Sequence, residues 1–146
     1  MPLIVLALSS ISCGGPETAG PEVLGLRVIK FPDGQHIQAE VEVTPQEIQK
    51  GMMFRDSLPR GRGMLIINQK PGVYPYWMYQ VRIPLDVVWM DENRRVVEIA
   101  SDAQPCRTTA SLCASYGGHE RSQFVLELAA GEARHYGLNV GQVLDF

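Results

Sequence analysis

The 146-residue chain has no excess of positive charge: 13 Lys and Arg face 16 Asp and Glu, for a net charge of −3. Binding a phosphate backbone needs a basic face, so general nucleic-acid binding is set aside. Past the N-terminus there is no run of about 18 apolar residues, the length a membrane-spanning helix needs. Long helices are disfavoured as well, because 14 glycines and 10 prolines punctuate the chain. No G-x-G-x-x-G or phosphate-loop pattern occurs, and no G-x-S-x-G signature of a serine nucleophile. Internal repeats and low-complexity runs are missing too. What remains, 45% hydrophobic and 20% charged, is the composition of an ordinary globular domain.

The N-terminus stands apart. Met1 to Ile11 is largely apolar and runs into Ser12-Cys13-Gly14-Gly15. This is similar to a secretory signal ending at a bacterial lipoprotein cleavage site, with Cys13 as the lipid-bearing residue. No Lys or Arg precedes the apolar run, and Ser10 stands where such a site prefers an apolar residue. The expected organisation is a signal segment over 1–13, a flexible tether over 14–22 and one all-β domain over 23–146. The expected location is the cell envelope, facing the periplasm or exterior, with the lipid as sole membrane contact.

Within the domain, period-two alternation dominates. Leu24 to Phe31 and Gln35 to Val43 flank Pro32-Asp33-Gly34, a strong turn, and form a hairpin with one solvated face that carries His36. Thr44-Pro45-Gln46-Glu47 is a capping box with proline at the first helical position, so a short helix follows and ends near Gly51. Met52, Met53 and Phe54 are expected to pin that helix to the core. Met64 to Ile67 reads as a strand, Asn68 to Gly72 as a turn, and Tyr74 to Tyr79 as an aromatic strand. Further strands are expected at Leu85 to Met90, Arg95 to Ala100, Gln123 to Leu128 and Gln142 to Phe146, with a brief turn or helical element opening at Ala130-Gly131-Glu132. The sum is an all-β, antiparallel, jelly-roll-like sandwich or barrel with one short helix.

The chemistry concentrates in Tyr74 to Asp91. These 18 residues hold both tryptophans, three of five tyrosines and two of six methionines. Alternation after Pro84 puts Leu85, Val87 and Trp89 on one face and Asp86, Val88 and Met90 on the other. Asp86 therefore lies on an apolar face, where a carboxylate must find partners. It is either a structural acceptor of backbone hydrogen bonds or a functional acid at a pocket mouth. Upstream, Arg55, Arg60 and Arg62 share a glycine-containing loop that is either a solvated charge run or an anion grip. Arg55, next to the apolar cluster, is the one that could be drawn inward toward a buried acid.

Cys106 and Cys113 flank six residues of small and polar character. In an oxidising compartment a disulfide is their expected state, worth roughly 2–3 kcal/mol. The alternatives are free thiols or a metal site completed by His119. The latter offers only three ligands and lacks a tight cysteine pair, so no metal or cofactor is expected.

Several spaced motifs carry a resemblance. They are T-P-Q-E-I-Q-K-G-M-M-F-R-D-S-L (Thr44 to Leu58), G-M-L-I (Gly63 to Ile66), Y-W-M (Tyr76 to Met78) and I-P-L-D-V-V-W-M-D (Ile83 to Asp91). P-C at Pro105 to Cys106, V-L-E-L-A-A-G at Val125 to Gly131 and G-L-N-V-G-Q-V at Gly137 to Val143 complete the set. Together they resemble the bacterial and archaeal family known as domain of unknown function 192. The resemblance implies a jelly-roll-like sandwich and an exported or lipid-anchored protein, and it brings no established activity. It departs at Tyr79-Gln80-Val81, where the family often has Lys-Asn-Thr.

Two functions are weighed. The first is an envelope binding or structural module for a glycan or polypeptide. Its surface would be built from Tyr76, Trp77, Met78 and possible stacking on Trp89, with Arg55 and Asp86 as polar contacts. The second is a small-molecule hydrolase or other enzyme with Asp86 as acid or base, Arg55 holding an anionic group and His119 assisting. It requires those three to converge in one pocket.

Overall fold

The structure is a computed structural model that describes residues 25–146. The signal segment, Cys13, the tether and Leu24 lie outside the described residues. Strands β1 (Leu26–Lys30) and β2 (His36–Glu42) form the expected antiparallel hairpin. Helix α1 (Pro45–Lys50) starts on the capping box: the Thr44 hydroxyl accepts from the Glu47 amide, and the Glu47 carboxylate accepts from the Thr44 amide. There follow β3 (Arg62–Gly72), β4 (Tyr76–Trp77), β5 (Leu85–Met90) and β6 (Val96–Ala103). A 3₁₀ turn (Ala110–Leu112), β7 (Ser115–Tyr116), β8 (Ser122–Ala129) and helix α2 (Glu132–His135) complete the order.

Six strands make one sheet in the order β1-β2-β3-β8-β5-β6, and β4 pairs with β7 in a small second layer. The fold is sandwich-like and the large sheet is open, not closed into a barrel. Three readings of the sequence are corrected. β2 and β3 run parallel, because the segment carrying α1 crosses back over the sheet instead of turning tightly. Asn68 to Gly72 continues β3 beyond a register shift, so no turn falls there. The C-terminal segment makes only isolated bridges, Lys30 with Asp145 and Arg95 with Val143, and is no strand. Among the described residues a second short helix, α2, stands where a brief turn or helical element was expected, beside the one helix of the expected fold.

The sheet buries both faces, which explains why all six residues of β5 are buried despite their alternation. One face, under α2, packs Ile29, Ile37, Leu65, Val88, Met90, Leu126 and Leu128 with Ala133 and Tyr136. The other, under α1 and the β4–β7 layer, packs Met64, Ile66, Val87, Trp89 and Val125 with Met52 and Met78. Trp89 is fully buried and donates its indole N–H to the Tyr74 carbonyl (2.8 Å). Gly117 allows the small layer to rest on that ring, since a Cβ there would lie 2.2 Å from Trp89 Cζ2. Full burial removes Trp89 from any stacking surface, correcting that expectation.

The register defines a transverse row on the α1 face: Glu40 of β2, Met64 of β3, Glu127 of β8 and Val87 of β5 stand side by side. The next row on the same face, two residues on, is Glu42, Ile66, Val125 and Trp89. Acids thus enter an otherwise apolar layer at its β2 side and at its centre. Asp86 pairs with Leu128 and points to the α2 face.

Candidate functional site

The parity of β5 decides the fate of Asp86. It is 1% exposed on the α2 face, and its oxygens accept from the amides of Asp102 (2.8 Å) and Ala133 (2.9 Å). Asp102 sits at φ +54° in the irregular stretch where β6 slips against β5. Ala133 lies in the first turn of α2, whose cap residue Gly131 has no side chain to offer. One carboxylate therefore ties a β-bulge and a helix start to the central strand, supplying acceptors to amides otherwise left without them. The structural reading of Asp86 is the one the geometry favours.

Arg55 is committed elsewhere. Its guanidinium grips Glu40 through both nitrogens, at 2.7 and 2.6 Å, on the α1 face. The pair is half-buried, and the Arg55 hydrogen bonds hold the Glu40 carboxyl below the usual range. Asp86 and Arg55 thus lie on opposite faces of the sheet. His119 is exposed and pairs with Glu98 at 2.6 Å, which raises the His119 pKa. The three groups required for the enzyme reading do not converge. Met78 is 3% exposed, and its carbonyl accepts from the Cys106 amide (3.0 Å), so it forms a floor rather than a contact surface. Cys106 and Cys113 form the expected disulfide, which braces this segment beside the Tyr79–Cys106 bridge. Among the described residues no cluster of three or more His, Cys, Asp or Glu could hold a metal.

What the structure does assemble is a cleft of about 390 Å³ between α1 with its following turn and the Tyr74–Trp77 segment. Tyr74, Tyr76 and Trp77 line it with aromatic surface, Gly51, Met52 and Met53 form the opposite wall, and Asn68 and Glu127 are its buried polar residues. Tyr76 and Trp77 are therefore brought together as read from the sequence. Trp77 is 40% exposed and its ring tilts against Tyr79 at 5.3 Å. On its other side lies a second, more open hollow of about 360 Å³, with Gln46, Gln49, Gln80, Phe54 and Tyr79 in its lining. Phe54 is 51% exposed at φ +66°, and its amide donates to the Gln80 carbonyl (3.0 Å), itself at φ +58°. The expectation that Phe54 pins α1 is corrected: Met52, 1% exposed, does that, and Phe54 is turned outward at a cost in backbone strain.

Glu127 is the residue that sequence reading missed. It is 6% exposed, and its Oε2 has no hydrogen-bond partner among the described residues. Burial pushes its pKa up to about 7; the Arg55 charge works against this and Glu42 adds to it. Tyr76 is shifted upward as well, chiefly by burial and then by Glu127, with an Asn68 hydrogen bond opposing. The sequence offered only a partial signal, a glutamate inside V-L-E-L; what buries it is the placement of β8 between β3 and β5.

These features define an all-β sandwich-like domain with an aromatic-walled cleft over a buried, partnerless acid. The chain belongs to the DUF192 family, described as an uncharacterized ACR, which it matches over residues 28–146. It is similar to a solved protein of unknown function from Novosphingobium aromaticivorans DSM 12444, at 27% identity and TM-score 0.72, over 86% of this chain and 90% of that one. A protein of Sinorhizobium meliloti 1021, described as a "putative transcription regulator", shares the fold at 24% identity and TM-score 0.71, over 81% and 89% of the two chains. Among curated proteins, none matches.

Proposed function

We propose that this protein is a binding module of the cell envelope that holds a glycan along the two hollows flanking Trp77. In this reading it is exported and anchored through Cys13. A disulfide and the lack of any membrane-spanning helix among the described residues are compatible with export. One observation carries the binding role: the half-exposed Trp77 stands between two concavities, and the deeper one ends on an acid without a partner. Sugar rings present flat apolar faces and hydroxyl rims. Trp77 and Tyr79 supply the stacking surface, while the Gln46, Gln49 and Gln80 amides supply donors and acceptors around it. A polypeptide ligand fits this polar rim less well than it would fit an open strand edge.

The test is calorimetric titration of the full chain with oligosaccharides cut from envelope glycans, alongside Trp77→Ala. Saturable binding that weakens at least 10-fold in Trp77→Ala is expected, in line with an aromatic hot spot. Binding unaffected by that substitution, or no binding by any glycan, would remove the proposal.

A further inference from the structure

We infer that the Glu127 end of the cleft receives a free ammonium group, so that the bound glycan carries an unacetylated amino sugar. This rests on the glycan reading and specifies its chemistry. Glu127 Oε2 has no hydrogen-bond partner among the described residues and lies beneath Gly51, where a Cβ would sit 3.6 Å from it. With no side chain at position 51, only backbone covers that oxygen, and the Glu127 side chain still lines the cleft.

The surrounding charges favour a cation. From β2, Glu40 is neutralised by Arg55, while Glu42 has no partner among the described ion pairs. From α1, the Glu47 carboxylate is occupied by the amides of Val43 and Thr44, and Lys50 lines the cleft from the exposed side of the helix. From β8, Glu127 forms no ion pair among the described residues and feels only the charge of Arg55, which is already paired with Glu40. Three aromatic rings, Tyr74, Tyr76 and Trp77, share the cavity, and ring faces attract ammonium groups. An ammonium against the Glu127 wall of the cleft would give the carboxylate a donor and offset the cost of its burial. An acetamido group in the same place would offer a single N–H donor beside a carbonyl acceptor and a methyl, with no charge to balance.

Two probes separate the possibilities: a glucosamine tetramer and its fully N-acetylated counterpart, titrated calorimetrically into the full chain at pH 7. The expected result is at least 10-fold tighter binding of the free-amine tetramer. Glu127→Gln, nearly identical in shape, is expected to abolish that preference, and circular dichroism reports that it remains folded. Equal or tighter binding of the acetylated tetramer overturns the inference and leaves the glycan reading standing. A preference that survives in Glu127→Gln also overturns it, because another group must then hold the amine. If neither tetramer binds and an oligolysine does, the glycan reading and this inference fall together.

Discussion

Asp86 and Glu127 are buried acids on neighbouring central strands, one register step apart, yet they face opposite sides of the sheet. Asp86 meets two backbone amides and closes a bulge and a helix start. Glu127 meets Met64 and Val87 across the row, has no donor for Oε2 among the described residues, and lines an aromatic cleft. Burial alone therefore does not identify a functional acid. Hydrogen-bond satisfaction separates the two: the satisfied carboxylate belongs to the architecture, and the unsatisfied one is a cost that a ligand can relieve.

The largest effect is expected from breaking the satisfied member. Asp86→Ala removes both acceptors and leaves the Asp102 and Ala133 amides without partners, the Ala133 amide in a buried position. Each hydrogen bond to a charged group is worth ~1.5–3 kcal/mol, so a loss of about 3–5 kcal/mol in urea unfolding is expected. A loss under about 1 kcal/mol would place Asp86 outside the architecture and reopen its functional reading.

Glu127→Gln is expected to act in the opposite direction and to depend on pH. The folded-state pKa is raised to about 7, so between the ordinary carboxyl range and 7 the folded state holds a proton that the unfolded state has released. Stability contributed at this position therefore falls as pH rises through that window. Below it both states are protonated and the difference vanishes. The variant should gain roughly 3 kcal/mol over wild type at pH 8 and close to nothing at pH 4. A gain of equal size at both pH values would contradict the burial of an ionising group.

A smaller effect sharpens the contrast. Arg55 is the nearby charge that holds the Glu127 pKa down, and it also completes the Glu40 pair. Arg55→Met should move the Glu127 titration further upward and cost about 1 kcal/mol through the half-exposed pair, as screened ion pairs do. A downward movement would show that Arg55 does not act on Glu127.

Much of the architecture was legible in local signals. The hairpin followed from alternation around Pro32-Asp33-Gly34, and α1 from its capping box, because both are set by residues adjacent in sequence. Alternation also placed Asp86 on an apolar face, and its partners proved to be backbone amides that no side-chain pattern announces. The parallel β2–β3 pairing was not legible, since it depends on where the crossover returns. Gln142 to Phe146 alternates like a strand but meets only isolated bridging positions, so its pattern had no ladder to join. Glu127 was hidden for a related reason. Paired with Gln123 and Val125 on one parity, it reads as part of a half-solvated strand, and only the β3-β8-β5 order buries that face. Of the proposed contact residues, Tyr76 and Trp77 met in the cleft because they are adjacent on one short segment. Asp86 went elsewhere because the sheet puts it on the opposite face, whereas Arg55 stayed on the cleft side but is taken up by Glu40, and Met78 is buried in the core beneath.

The most direct measurement is a titration of the Glu127 side-chain carboxyl by carbon NMR, using Glu127→Gln to assign the signal. A midpoint near 7, falling when the glucosamine tetramer is added, is the result expected for a buried acid awaiting a cation. A midpoint in the ordinary carboxylate range near 4.5, unmoved by the tetramer, would contradict it.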